Sequence, residues 1–256
     1  MPRPHIIAVT NQKGGVGKTT TAVNLAASLA TAERSTLLID LDPQGNASSG
    51  VGINRTEIGE QLTIYEALLG EVPLAEVIRD TAIEHLKVVP ATTDLVGFEY
   101  EPLDEQRGTH LQRLLMSEAA QRFDFIVLDS PPSLGVLTLN ILGAASRVLV
   151  PLQPEYYALE GIASLMATID RVRDTLNPSL DIEGIVITMW DPRNKLAHEV
   201  ASEVRRHYRV FDSVIPRNVR LSEAPSHGLP AILYDASCKG AQGYLSLARE
   251  VIEGRA

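Results

Sequence analysis

Only one cysteine, Cys238, occurs in 256 residues, so the chain can form no intrachain disulfide and no four-thiolate metal site. A lone thiol fits a reduced, cytoplasmic compartment. No apolar run approaches the roughly 20 residues needed to cross a bilayer, and Met1–Pro4 leads into an apolar run without a signal-peptide cleavage pattern. The six histidines are scattered, and no pair has the spacing of a zinc hydrolase. Ser130 and Ser133 lack the flanking glycines of a nucleophile elbow. Positive charge is also scarce. A net charge of −9 excludes a uniformly basic DNA-coating protein, though not a local basic patch. Internal repeats, low-complexity tracts and linkers of distinct composition are missing, so residues 1–256 are expected to form a single domain. Asn46–Arg79 is the one stretch that reads as an excursion from its core.

What is present is ordinary globular composition, 45% hydrophobic and 21% charged. Short apolar runs rich in Val, Ile and Leu recur at His5–Thr10, Thr36–Leu41, Leu86–Pro90, Phe123–Asp129, Arg147–Leu152, Ile182–Met189 and Val210–Ile215. They lack polar alternation, as strands covered on both faces do. Between them lie segments with helical spacing. The clearest is Leu159–Leu176, whose apolar residues step by three or four before Asn177-Pro178 stops them. The alternation predicts an α/β fold: one doubly wound, mostly parallel sheet with helices on both faces.

The strongest motif is Lys13-Gly14-Gly15-Val16-Gly17-Lys18-Thr19-Thr20, set between the first strand and a helix expected over Thr21–Ala32. Glycines let successive backbone N–H groups turn toward phosphate oxygens, and the helix N-terminus adds partial positive charge. Lys18 should reach the β- and γ-phosphates, and the Thr19 hydroxyl should ligate Mg²⁺. The common pattern has glycine where this chain has Gln12, and a second lysine, Lys13, opens the loop. Within one subunit Lys13 is redundant with Lys18. It is most useful if it crosses a dimer interface to the other copy's nucleotide; otherwise it is a solvated lysine.

Two carboxylates, Asp40 and Asp42, end the second strand, where ligands of doubly wound sheets sit. With Pro43 and Gly45 turning the chain, Asp42 is expected to position the attacking water. Asp40 is expected to support the Mg²⁺ shell or the phosphate loop. Asp129 ends the strand from which an aspartate of a phosphate-loop enzyme holds Mg²⁺.

Together these motifs resemble the deviant Walker A ATPases of the ParA/MinD group. Leu38-Ile39-Asp40-Leu41-Asp42-Pro43-Gln44-Gly45-Asn46 is similar to the second signature of the ParA branch, and Asp129-Ser130-Pro131-Pro132-Ser133 to its Walker B region. Glu155–Gly161 and Ile215–Gly228 resemble the chromosomal Soj/ParA type closely. The resemblance spans nearly the whole chain. It implies a Mg²⁺-dependent ATPase with slow intrinsic hydrolysis and an ATP-dependent homodimer that binds double-stranded DNA non-specifically. It further implies a ParB/Spo0J-type centromere-binding partner and a nucleoid-associated location. It gives Asp42 its water-positioning role and puts Pro216, Arg217 and Asn218 against adenine or ribose. Met189 either packs near the base or is a strand-end core residue.

Charge is unevenly spread. Trp190–Arg220 holds seven basic residues against four acids, a local +3 on a remainder of −12. The resemblance marks Arg193 and Arg220 as DNA contacts, with Lys195, Arg205 and Arg206 as further candidates. No base-reading module is evident, so binding should be salt-sensitive and indifferent to sequence. Other readings remain. A membrane-surface ATPase of the MinD kind needs a basic amphipathic tail, whereas Ala241–Ala256 reads as a last core helix, so no membrane partner is expected. A reductase like nitrogenase iron protein needs more cysteines than Cys238. A positioning ATPase for another cargo, such as a chemoreceptor array or microcompartment, would use the same chemistry.

Overall fold

The computed structural model describes residues 3–54, 59, 61–100 and 108–254. Eight strands form one sheet: β1 (His5–Val9), β2 (Thr36–Asp40), β3 (Arg79–Asp80), β4 (Leu86–Val89), β5 (Phe125–Asp129), β6 (Arg147–Leu152), β7 (Asp181–Trp190) and β8 (Val210–Pro216). Their spatial order is β3-β4-β2-β5-β1-β6-β7-β8, parallel except for the β3–β4 pair. All seven expected strands are there. β5 starts two residues later than its apolar run, and β7 runs one residue further at each end. The unexpected β3 is a two-residue edge strand.

The connecting helices are α1 (Lys18–Thr31), α2 (Asn46–Gly50), α3 (Ile64–Leu69), α4 (His110–Leu115), α5 (Val136–Ala144), α6 (Ala158–Thr175), α7 (Lys195–His207), α8 (Val219–Glu223) and α9 (Lys239–Glu253), besides single helical turns. Side chains alternate across a strand, and here both faces are apolar. Ile7, Val9, Leu38, Val127, Leu149 and Val186 pack with α1 and α9. Ala8, Leu37, Ile39, Ile126, Leu128 and Ile185 pack on the opposite face with α3 to α7. That two-sided burial is why the strands read as continuous hydrophobic runs. Within Asn46–Arg79, the side chains of Ile64, Leu68, Leu74 and Val77 belong to the second of these cores.

The topology sets the site. β1 lies between β5 and β6, but the chain leaves it for β2, on the far side of β5. The carboxyl ends of β1, β2 and β5 therefore converge where the connections diverge, the place where such sheets bind ligands.

Candidate functional site

β1 runs into the loop Thr10–Gly17, and neighbouring elements fix its path. The Thr10 N–H donates to the Leu149 carbonyl at 3.2 Å. The Asn11 amide donates to the Pro151 carbonyl at 2.8 Å, and its oxygen accepts from the Lys13 N–H. The Thr188 hydroxyl of β7 donates to the Val16 carbonyl at 2.9 Å. Gln12, the departure from the common pattern, accepts from the Ser164 hydroxyl of α6 at 3.0 Å.

Gly15 and Gly17 have φ of +75° and +87°, the left-handed region that side chains disfavour. No atom lies within 4 Å of where a Cβ would stand on Gly14, Gly15 or Gly17, so the loop opens onto free space. α1 begins directly at Lys18, three residues before the expected start, with Gly17 as an N-cap that offers no side chain. Its first N–H groups are thus left for an incoming anion. Lys18 is buried, and its ammonium donates to the Lys13 carbonyl at 3.2 Å. Burial lowers its pKa, while Asp129 and Asp42 pull the other way.

Asp40 and Asp129 stand side by side at the ends of β2 and β5. Both are fully buried, but their bonding differs. One Asp40 oxygen accepts from the Ser48 N–H and hydroxyl, each at 2.7 Å, and the other from the Asp42 N–H at 3.1 Å. Burial pushes its pKa up to about 6 against those bonds. Neither oxygen of Asp129 has a hydrogen-bond partner. Burial, then the Asp40 charge, push its pKa well up; the Thr19 hydroxyl eases ionisation without completing a bond, and Lys18 helps. Of the three residues expected around the metal, Asp129 holds oxygens without a partner, Thr19 stands beside it, and Asp40 is spent on the turn that carries Asp42.

An orphaned buried carboxylate beside a hydroxyl fits a small, hard divalent cation. Among the described residues no group of three or more His, Cys, Asp or Glu could hold a metal by itself. The cation would therefore complete its shell with phosphate oxygens, as Mg²⁺ does in nucleotide sites. Asp42 is nearly buried and accepts from the Gln44 N–H at 2.9 Å, in a turn closed by Gly45 at φ +59°.

Beyond the loop, a cleft of about 310 Å³ is lined by Gly17, Thr20, Met189, Pro216, Arg217 and Asn218, among others. Met189 has φ +51°, rare for a residue with a side chain and often a mark of a functional position. It lines the cleft rather than the core. Tyr244 of α9, buried against Thr21 of α1 at 3.1 Å, also lines this cleft; periodicity alone had given only an apolar helix face.

Lys13 reaches Glu155 of its own chain at 2.5 Å. Sequence reasoning missed Glu155, although it opens one of the Soj-like stretches. The exposed Tyr156 and Tyr157 follow it, ring against ring.

The basic residues do not form one patch. Arg193 and Lys195 lie at the carboxyl end of β7, close to Arg217, whose N–H donates to the Trp190 carbonyl, and Arg220 follows on α8. Arg205 and Arg206 sit at the other end of α7, about 15 Å from Lys195 by helical rise. The first group shares an end of the sheet with the loop. The second is turned toward the start of β8.

The chain is similar to known proteins over nearly its whole length. A family model described as an AAA domain matches residues 4–182. The chain is 54% identical over 251 residues to the chromosome partitioning protein ParA of Myxococcus xanthus, covering 97% of this chain and 88% of the relative. It is 49% identical over 249 residues to the sporulation initiation inhibitor protein Soj of Bacillus subtilis, covering 96% and 97%. Among solved structures, the cobyrinic acid a,c-diamide synthase of Mycobacterium smegmatis, with bound ADP and magnesium, superposes with a TM-score of 0.82. It is 34% identical and covers 97% of this chain and 93% of that one.

Proposed function

The chain belongs to the ParA/Soj family of chromosome-partitioning ATPases, and on that footing we propose that it is a nucleotide-driven DNA switch. It hydrolyses ATP with Mg²⁺ as cofactor. In this reading the ATP-bound form is a homodimer that binds double-stranded DNA without regard to sequence. Hydrolysis, slow alone and stimulated by a ParB/Spo0J-type partner, releases it.

The observation that carries the reading is Asp129, a sealed carboxylate without a partner at the mouth of a phosphate loop. Thr19 and Asp129 would hold the Mg²⁺, which when bound supplies positive charge to the phosphates. The N–H groups of Gly14–Thr20 cradle phosphate oxygens, and Lys18 neutralises charge as the terminal phosphate departs. Asp42 orients the attacking water and accepts its proton. Asp40 fixes the turn that aims Asp42. Met189, Pro216, Arg217 and Asn218 enclose the nucleoside. Lys13 exchanges Glu155 for the nucleotide across the dimer. Arg193, Lys195 and Arg220 contact DNA phosphates beside the nucleotide, with Arg205 and Arg206 as a second contact further along.

The test is DNA retention with ATP, with ADP and without nucleotide, at two KCl concentrations, beside molecular mass in solution. ATP alone should give a dimer that holds DNA of any sequence and lets go at high salt. A dimer that ignores DNA at low salt overturns the DNA track and leaves the ATPase.

A further inference from the structure

Arg193 and Arg220, the arginines expected to contact DNA at the loop's end of the sheet, are already engaged by acids of their own chain. Arg193 makes a two-pronged bond to Asp191, Nε to Oδ1 at 3.0 Å and Nη2 to Oδ2 at 2.9 Å. Asp191 also accepts the Arg193 N–H at 3.0 Å, and these bonds hold its pKa down to about 2. Arg220 is held on several sides. Its Nη1 donates to Glu223 at 2.8 Å, its Nε lies 3.4 Å from Asp235, and its guanidinium sits 5.9 Å from the centre of the Tyr234 ring. The cradle is itself braced. The Tyr234 hydroxyl points to Glu223 at 3.4 Å, and His227 stacks on the Tyr234 ring at 5.0 Å. Asp235 accepts from the Ser237 hydroxyl at 2.7 Å and its N–H at 3.1 Å. Glu223 and His227 of the Soj-like stretch Ile215–Gly228, which do not line the nucleotide cleft, gain a purpose here. By contrast, Lys195 and Arg205 have no acid partner among the described residues.

Resting on the reading of this surface as a DNA contact, we propose that Glu223 and Asp235, with Asp191, are built-in competitors of DNA phosphate. Carboxylate and phosphate offer a guanidinium the same pair of oxygens, so one displaces the other at a single fork. A displaced carboxylate must then recruit a cation from solution. Each exchange therefore returns about one of the counterions that the phosphate contact releases. The competitors keep a single subunit's grip on DNA weak and leave stable binding to two subunits acting together. Tyr234 and His227 hold the Arg220 side chain in place while its partner changes.

The experiment measures the affinity of the full-length protein for a fluorescent duplex of arbitrary sequence, with ATP and with ADP, across a KCl series. It compares wild type, Glu223→Gln with Asp235→Asn, Asp191→Asn, and the control Glu199→Gln. Glu199 is exposed on α7 and has no basic partner among the described residues, so its loss changes the charge without releasing an arginine. The double variant should bind about tenfold tighter at low salt. Its slope of log affinity against log salt should steepen by about 0.9 for the arginine set free. Binding should also appear with ADP. Asp191→Asn, in an exposed turn, should do the same for Arg193 and stands in if the double variant does not fold. Equal gains in Glu199→Gln, or an unchanged slope, overturn the competitor idea while leaving DNA binding intact. Wild type that ignores DNA with ATP overturns the underlying reading as well.

Discussion

At the scale of single residues, Asp129 shows a site built at the expense of stability. A fully buried carboxylate beside Asp40, without a hydrogen-bond partner, is compensated only in part by Lys18 and the nearby Thr19 hydroxyl. Replacing it should stabilise the protein in the absence of ligand and disable it in its presence. Asp129→Asn is expected to raise unfolding stability in EDTA without nucleotide by about 1–2 kcal/mol. The same variant should lose the thermal shift that Mg²⁺ adds to ATP, and hydrolysis should fall at least about a hundredfold. Thermal melts with and without Mg·ATP check both halves. An Asp129→Asn protein less stable than wild type in EDTA means that the carboxylate has a structural partner after all. Lys18 behaves differently: its ammonium bonds the Lys13 carbonyl, so removing it leaves that acceptor unpaired and gives no such gain.

At the scale of elements, the helix that follows the phosphate loop also grips the segment that carries Arg220. Asn24, on the turn after Thr20, donates to the Thr20 carbonyl and accepts from the Ala231 N–H, both at 2.8 Å, the second bond buried. Gly52 and Gly228 make a second tie. Both have positive φ, and a Cβ on Gly228 would stand 3.2 Å from the Gly52 Cα. The chain after the Asp42 turn and the chain after Arg220 therefore meet backbone to backbone. Asn24→Ala leaves the Ala231 N–H buried and unpaired, a loss of about 1–3 kcal/mol. Amide exchange should accelerate over Ala231–Tyr234 first, and protection there equal to wild type sinks the tie. None of this was legible in the sequence, because Asn24 and Ala231 are 207 positions apart, Gly52 and Gly228 lie almost as far, and no local pattern pairs them. What was legible followed from local physics. Seven strands were readable because two-sided burial makes each an unbroken apolar run. The edge strand Arg79–Asp80 was not, since two polar residues carry no hydrophobic signal. The start of α1 was placed late because Lys18-Thr19-Thr20 are weak helix signals, and the helix begins there only because the glycine loop delivers the chain into it. The phosphate-loop lysine, hydroxyl and aspartate were readable as motif; the idle oxygens of Asp129 and the spent ones of Asp40 were not.

At the scale of the whole molecule, the proposed switch requires ATP to favour two copies over one. A ligand shifts an equilibrium only by binding one state better than the other. In the single chain Lys13 is satisfied by Glu155, a half-exposed pair whose net contribution is about 1 kcal/mol or less. A bond that weak can be given up for a triphosphate, a far denser negative charge. The surrounding surface suits a second copy: Leu134, Tyr156 and Tyr157 are exposed near the loop's end of the sheet, and aromatic residues are favoured anchors of interfaces. Lys13→Gln should therefore separate two properties that Lys18→Gln loses together. With Lys18, Thr19 and Asp129 intact, ATP affinity should change less than about threefold, because in the proposed dimer the lysine serves the other copy's nucleotide. The mass in solution with ATP should remain that of one chain, and DNA retention should vanish with the dimer. Light scattering beside nucleotide titration decides it. Normal dimerisation by Lys13→Gln would return Lys13 to the status of a surface lysine and place the ATP preference of the dimer in the apolar contacts. A monomer that no longer binds ATP would put Lys13 among the residues that hold its own nucleotide.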